Sequence, residues 1–99
     1  MGKNLKICAL LDVYGAFLSE KQRSLAEHYY YEDLSLGEIA ENEGITRQGV
    51  RDLIKRAEQQ LIRFEEECGW SQKFSELRHA AEKLDKDAHS EIIDIIEKL

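Results

Sequence analysis

Residues 35–57 constrain this chain more than any other stretch, because small, turn-forming and apolar residues fall there in an order that suits two crossing helices. Ser35, with Glu38 three positions on, has the chemistry of a capping box and opens a helix. Ala40 is small where the next helix must cross close above it. Gly44 stands where a left-handed residue ends the first helix without a Cβ clash. Ile45 plugs the angle between the helices, and Thr46 offers its hydroxyl as the N-cap of the second. Val50, Leu53, Ile54 and Ala57 then hold the second helix against the first. The spacing predicts a helix-turn-helix over about residues 34–57.

The rest of the chain supplies helices to build around it. The 99 residues contain no proline, and 42% of them are hydrophobic and 34% charged. Proline breaks the i to i−4 ladder, so a proline-free sequence rich in Glu, Lys, Leu and Ala suits long helices. No stretch alternates polar and apolar residues long enough for a sheet, and the expected fold class is all-α. A first helix is expected over residues 5–18, with Ile7, Leu10, Leu11, Tyr14, Phe17 and Leu18 facing a core. Ser19 and Gln22 form a second capping box, opening a helix to residue 31 that turns Leu25, Ala26, Tyr29 and Tyr30 inward. The third helix runs from Ser35 to about Asn42, and the fourth from its cap Thr46 to Cys68, stopped by Gly69. Ser71 is expected to cap a fifth helix reaching Leu84, and Asp87 a sixth reaching the end. A chain this short holds one core. It divides at Gly69-Trp70-Ser71 into a helix-turn-helix bundle, 1–69, and a helical extension, 70–99, packed on the bundle or on a dimer partner.

Charge is unevenly placed. The net charge of −6 argues against coating nucleic acid by bulk charge. Residues 1–45 carry −4 and residues 64–99 carry −5, whereas residues 46–63 hold five basic and two acidic side chains. The basic block therefore lies on the fourth helix. At 3.6 residues per turn, Val50, Leu53, Ile54, Ala57, Leu61 and Phe64 share one face of it. Gln48, Arg51, Asp52, Lys55 and Gln59 share the opposite face, with Arg47 and Arg56 at its margins. Arg and Gln near the start of such a helix suit bidentate contacts with guanine and adenine edges. A merely solvated face would also be charged, and it is the excess of cations that favours nucleic acid. The candidate binding residues are Arg47, Gln48, Arg51, Lys55 and Arg56. The structural positions of the motif are Ser35, Ala40, Gly44, Ile45, Thr46 and Val50.

Other constellations carry less. Tyr29, Tyr30 and Tyr31 are successive on a helix, so their rings diverge instead of forming a stacking platform. His28, His79 and His89 lack ligand-like spacing, and Glu65-Glu66-Glu67 reads as a solvated helix end. Nothing suggests a catalytic group, cofactor or metal, so no enzyme is expected. Cys8 and Cys68 read as free thiols packed as small hydrophobes. The short apolar run 7–11 cannot span a bilayer, and a cytoplasmic protein is expected.

The residues Leu10-Leu11-Asp12-Val13-Tyr14-Gly15, Glu20-Lys21-Gln22-Arg23 and Tyr29-Tyr30 belong to a longer recognisable pattern. It continues through Asp33-Leu34-Ser35-Leu36-Gly37-Glu38-Ile39-Ala40 and Gly44-Ile45-Thr46-Arg47-Gln48-Gly49-Val50, and closes with Ile54-Lys55-Arg56-Ala57-Glu58. This run closely resembles the YlxM family of small bacterial proteins, UPF0122. It is also similar to region 4 of bacterial sigma factors. The resemblance implies a sigma region-4-like bundle of the winged-helix-like DNA-binding class. It further implies a gene neighbourhood beside the signal recognition particle GTPase, and an accessory or regulatory role in that targeting pathway.

Three functions follow as expectations. The first is a non-enzymatic regulator of the signal recognition particle pathway that binds nucleic acid, either DNA or the particle's RNA. The second is a DNA-binding transcription regulator reading a palindrome as a dimer. The third is an adaptor that docks the targeting GTPase. Four cations on phosphates give a salt slope of only about −3.6 on duplex DNA, so a single copy binds weakly and a homodimer is expected. Surplus apolar residues in 71–99, above all the stripe Ala88, Ile92, Ile95, Ile96 and Leu99, supply its interface.

Overall fold

The structure, a computed structural model, describes residues 3–84 and 86–99. Those residues form helices and no strand, in two compact units, Met1–Cys68 and Gly69–Leu99.

The first unit contains α1 (Leu5–Tyr14), α2 (Glu20–Tyr30), α3 (Leu36–Glu43) and α4 (Arg47–Cys68). Local chemistry sets their starts. At Ser19–Gln22 and Ser35–Glu38 each serine hydroxyl accepts the N3 backbone N–H, while the N3 side chain accepts the cap N–H. Two otherwise orphaned donors are satisfied at each start. Thr46 Oγ1 accepts the Gly49 N–H at 2.9 Å and caps α4. Gly44, at φ 69° and ψ 28°, ends α3 in the left-handed region. The Ile45 N–H then reaches back to the Ala40 carbonyl at 3.2 Å, closing the turn.

α4 packs against α1, α2 and α3, and one apolar face serves two clusters. Val50 and Ile54 meet Leu25, Ile39 and Ala40, while Ala57 and Leu61 meet Ile7, Leu10, Leu11, Tyr14, Leu18 and Ala26. Leu25, Ile39 and Leu61 are fully buried, which stabilises the unit by roughly 1.5–3 kcal/mol for each. The expected first helix is shorter than its stripe. It gives way at Tyr14 to a 3-10 turn over Gly15–Phe17. The tighter winding carries later positions off the α-helical stripe, so Phe17 is 58% exposed instead of facing the core. Its ring still lies 6.0 Å from that of Phe64.

Tyrosine–carboxylate pairs tie the helices together. Tyr14 Oη donates to Glu65 Oε1 at 2.7 Å, Tyr30 donates to Glu58 and Tyr31 to Asp12. Burial, then the adjoining carboxylate, holds the Tyr30 and Tyr31 phenols protonated well above their ordinary range. Glu65 is therefore half-buried and bonded, not part of a solvated helix end. The thiols correct a second expectation, since Cys68 is exposed and only Cys8 is half-buried.

In the second unit, α5 (Trp70–Ala81) and α6 (Lys86–Glu97) pack on one another as a helical hairpin. Neither expected cap is one. Gly69, left-handed at φ 66°, lets α5 begin at Trp70, so Ser71 lies inside the helix. α6 begins at Lys86, which puts Asp87 in its first turn, where a carboxylate still complements the helix N-terminus. The preceding position, 85, lies outside the described residues.

Candidate nucleic-acid interface

Thr46, Gly44 and Ala40 together fix where α4 starts and how it crosses α3. Ala40 is 7% exposed, in one cluster with Val50 and Ile54. Ile45 is half-buried against the same cluster, as a plug between helices requires. Ser35 and Thr46 are exposed and engaged as caps. With Val50 and Ile54 turned inward, the 3.6-residue period turns the other side of α4 outward.

Arg47, Gln48, Arg51, Lys55 and Arg56 are all exposed there. From the first to the last is about 13 Å at 1.5 Å per residue, comparable with the roughly 12 Å width of a DNA major groove. Arg47 sits at one end, its stem passing over Gly37. A Cβ built on Gly37 would lie 3.9 Å from Arg47 Cδ, so the guanidinium stands beside the first turn of α3.

The pairing of these charges is selective. Among the described residues, Arg47, Arg51, Lys55 and Arg56 have no ion pair and no side-chain hydrogen bond. The same unit pairs Lys3 with Asp33, Lys21 with Glu43, Arg23 with Glu27 and Arg63 with Glu67. Lys6 on α1 is its other cation without a partner among the described residues. The nearby acids are mostly engaged. Glu38 folds back onto the Ser35 N–H at 3.0 Å and Glu43 meets Lys21 at 2.8 Å. Those contacts hold both carboxyls below the usual range. Glu58 accepts from Tyr30. Asp52 lies on the basic face itself and accepts from Gln48 Nε2 at 2.9 Å. A carboxylate only accepts, so this bond also orients the Gln48 amide. The result is an arc of four cations, none in an ion pair among the described residues, with the Asp52 carboxylate on the same face.

One positioning residue left no trace in the periodicity. Lys3 Nζ donates to the carbonyls of Tyr29 at 2.6 Å and Leu34 at 2.8 Å, pairs with Asp33 at 3.1 Å, and lies 3.9 Å from the centre of the Tyr29 ring. It clamps the connection that delivers α3, where Asp33 adopts φ 56°, a left-handed conformation that Asp tolerates better than most residues. Only the three-dimensional meeting of residues 3 and 29–34 reveals it.

No helix among the described residues is long and apolar enough to cross a membrane. The profile of the family described as "Putative helix-turn-helix protein, YlxM / p13 like", UPF0122, matches residues 1–99. A UPF0122 protein of Desulforamulus reducens is 55% identical over 71 residues, which is 72% of this chain and 61% of that protein. One from Thermoanaerobacter sp. strain X514 is 43% identical over 98 residues, 91% of this chain and 84% of that protein. One from Shouchella clausii is 38% identical over 107 residues, 100% of this chain and 98% of that protein. Whole-length agreement with the profile, together with the helix-turn-helix geometry of α3 and α4, establishes that the chain belongs to the UPF0122 family of helix-turn-helix proteins.

Proposed function

We propose that this is a non-enzymatic regulatory protein that acts in the cytoplasm and binds nucleic acid through the 47–56 face of α4. Its place would be the signal recognition particle pathway. The observation that carries the binding reading is the set of exposed cations Arg47, Arg51, Lys55 and Arg56, without internal partners among the described residues of a net acidic chain. An acidic protein gains little from non-specific attraction, so contacts must come from this face. The family resemblance supplies the pathway, and the ligand class it favours is the particle's RNA or a DNA control site. The modest charge count favours two copies acting together.

The test is a salt titration of the full chain against three kinds of probe: a panel of duplex DNAs of defined, differing sequence, the signal recognition particle's RNA and the targeting GTPase. Binding to the RNA with a slope near −3 or steeper supports the reading. Preference for particular duplex sequences would shift it to a transcription regulator. Salt-insensitive binding to the GTPase alone, with no nucleic acid bound even at low salt, would overturn it in favour of the adaptor.

A further inference from the structure

We infer that the connection between α2 and α3 is a binding site for a primary ammonium. The chain fills it with its own Lys3, and a free alkylammonium enters it when that side chain is missing. This holds whether or not α4 binds nucleic acid. The site begins with how α2 ends. The last carbonyls of a helix have no partner within it. Here the Tyr31 and Glu32 N–H groups return to the Glu27 carbonyl, and the Leu34 N–H returns to that of His28. Asp33, left-handed at φ 56°, turns the chain away before the next carbonyl is reached. The Tyr29 carbonyl therefore receives no backbone N–H among the described residues. Nor does the carbonyl of Leu34, one position before the Ser35 cap of α3.

An ammonium fits the acceptors that remain. Lys3 Nζ lies 2.6 Å from the Tyr29 carbonyl oxygen, 2.8 Å from that of Leu34 and 3.1 Å from Asp33 Oδ1. A primary ammonium carries one N–H donor for each of these. The same nitrogen lies 3.9 Å from the centre of the Tyr29 ring, within reach of a cation–π contact. Its place at the C-terminal end of α2 adds the attraction of the helix dipole. The Asp33 side chain is 88% exposed, so its ion pair contributes little, and the two carbonyls and the ring define the site. A quaternary ammonium could meet the ring but has no N–H for the carbonyls, which makes the ligand class a primary ammonium. Tyr29 and Leu34 both pack against the cluster of Leu25, Ile39, Ala40, Val50 and Ile54. Filling the site therefore ties the end of α2 to the start of α3, and the segment before α1 acts as a latch on the helix-turn-helix.

The test is thermal denaturation of the full chain carrying Lys3→Ala, followed by circular dichroism, with n-propylammonium chloride as the probe. That ion replaces the propyl stem and ammonium that the substitution removes. Lys3→Ala should lower Tm by about 5–10 °C. At about 0.2 M, n-propylammonium should recover about half of the loss or more. Tetramethylammonium chloride at the same concentration should recover none of it, and the wild type should respond equally to the two salts. Hydrogen exchange in peptides covering residues 29–35 should quicken in the variant and slow again with n-propylammonium alone. If the variant is unfolded, n-propylammonium must restore its helicity. A variant that melts with the wild type overturns the inference. So does one that gains nothing from n-propylammonium, or as much from tetramethylammonium. Exchange that stays fast at 29–35 despite a recovered Tm would place the amine elsewhere and overturn it too. RNA or DNA binding is not measured, so failure of the nucleic-acid reading leaves this result intact.

Discussion

Replacing Gly44 by alanine isolates the backbone geometry of the turn from every other contribution. Gly44 has φ 69°, and a Cβ built on it meets no atom within 4 Å. Steric clash with neighbours therefore contributes nothing, and the cost is that of holding an L-residue left-handed, about 1–2 kcal/mol. Alanine also has fewer unfolded conformations to lose than glycine, which offsets a fraction of that. The net loss is about 1 kcal/mol, or a fall in Tm of about 4–8 °C for a domain of this size. Thermal denaturation of the full chain followed by circular dichroism reads it directly. Gly44→Asn is the internal control, because asparagine tolerates the left-handed region better, and it should lose distinctly less than alanine. If both variants melt with the wild type, the left-handed Gly44 does not hold the turn between α3 and α4.

Ala40→Leu pushes new methyls into the packed contact with Val50 and Ile54 and should cost about 1–3 kcal/mol, read from the same melts; an unchanged midpoint would mean the crossing is not close-packed. Glu38 and Glu43 have folded-state carboxyls lowered by the Ser35 cap and by Lys21. Their contribution is therefore present above the unfolded glutamate value of about 4.3 and disappears as pH falls through the lower folded values. Acid titration of Tm should show stability declining below about pH 5. A Glu38→Gln/Glu43→Gln variant should show a shallower decline.

The parts of the fold that were legible are those set by neighbours in sequence. Ser19–Gln22, Ser35–Glu38, Gly44 and Thr46 act within one helical turn, so their residue types are enough to predict them. The exposure of Arg51 and Lys55 was equally legible, because the inward period of Val50, Ile54, Ala57 and Leu61 dictates it. Ser71 misled, since it competes with Gly69, and a left-handed glycine can start α5 two residues earlier without any side-chain cap. Phe17 misled because a 3-10 turn replaces the last turn of α1 and changes the period. Long-range partners left no sequence signal at all. Tyr14 finds Glu65 across 51 positions and Lys21 finds Glu43 across 22. It is such distant pairings that decide which charges remain available on α4.

On the proposed reading, α4 meets nucleic acid through cations that form no ion pair among the described residues. Arg51→Ala/Lys55→Ala isolates their contribution, because both side chains are exposed and neither has an ion pair or side-chain hydrogen bond among the described residues. The measurement is the dependence of log K on log salt for wild type and variant, on duplex DNA and on the signal recognition particle's RNA. The variant should melt with the wild type, bind more weakly, and lose about 1.8 from the slope on duplex DNA, or about 0.9 for each phosphate contact removed. Equal affinity and equal slope on every nucleic acid that the wild type binds would contradict the claim.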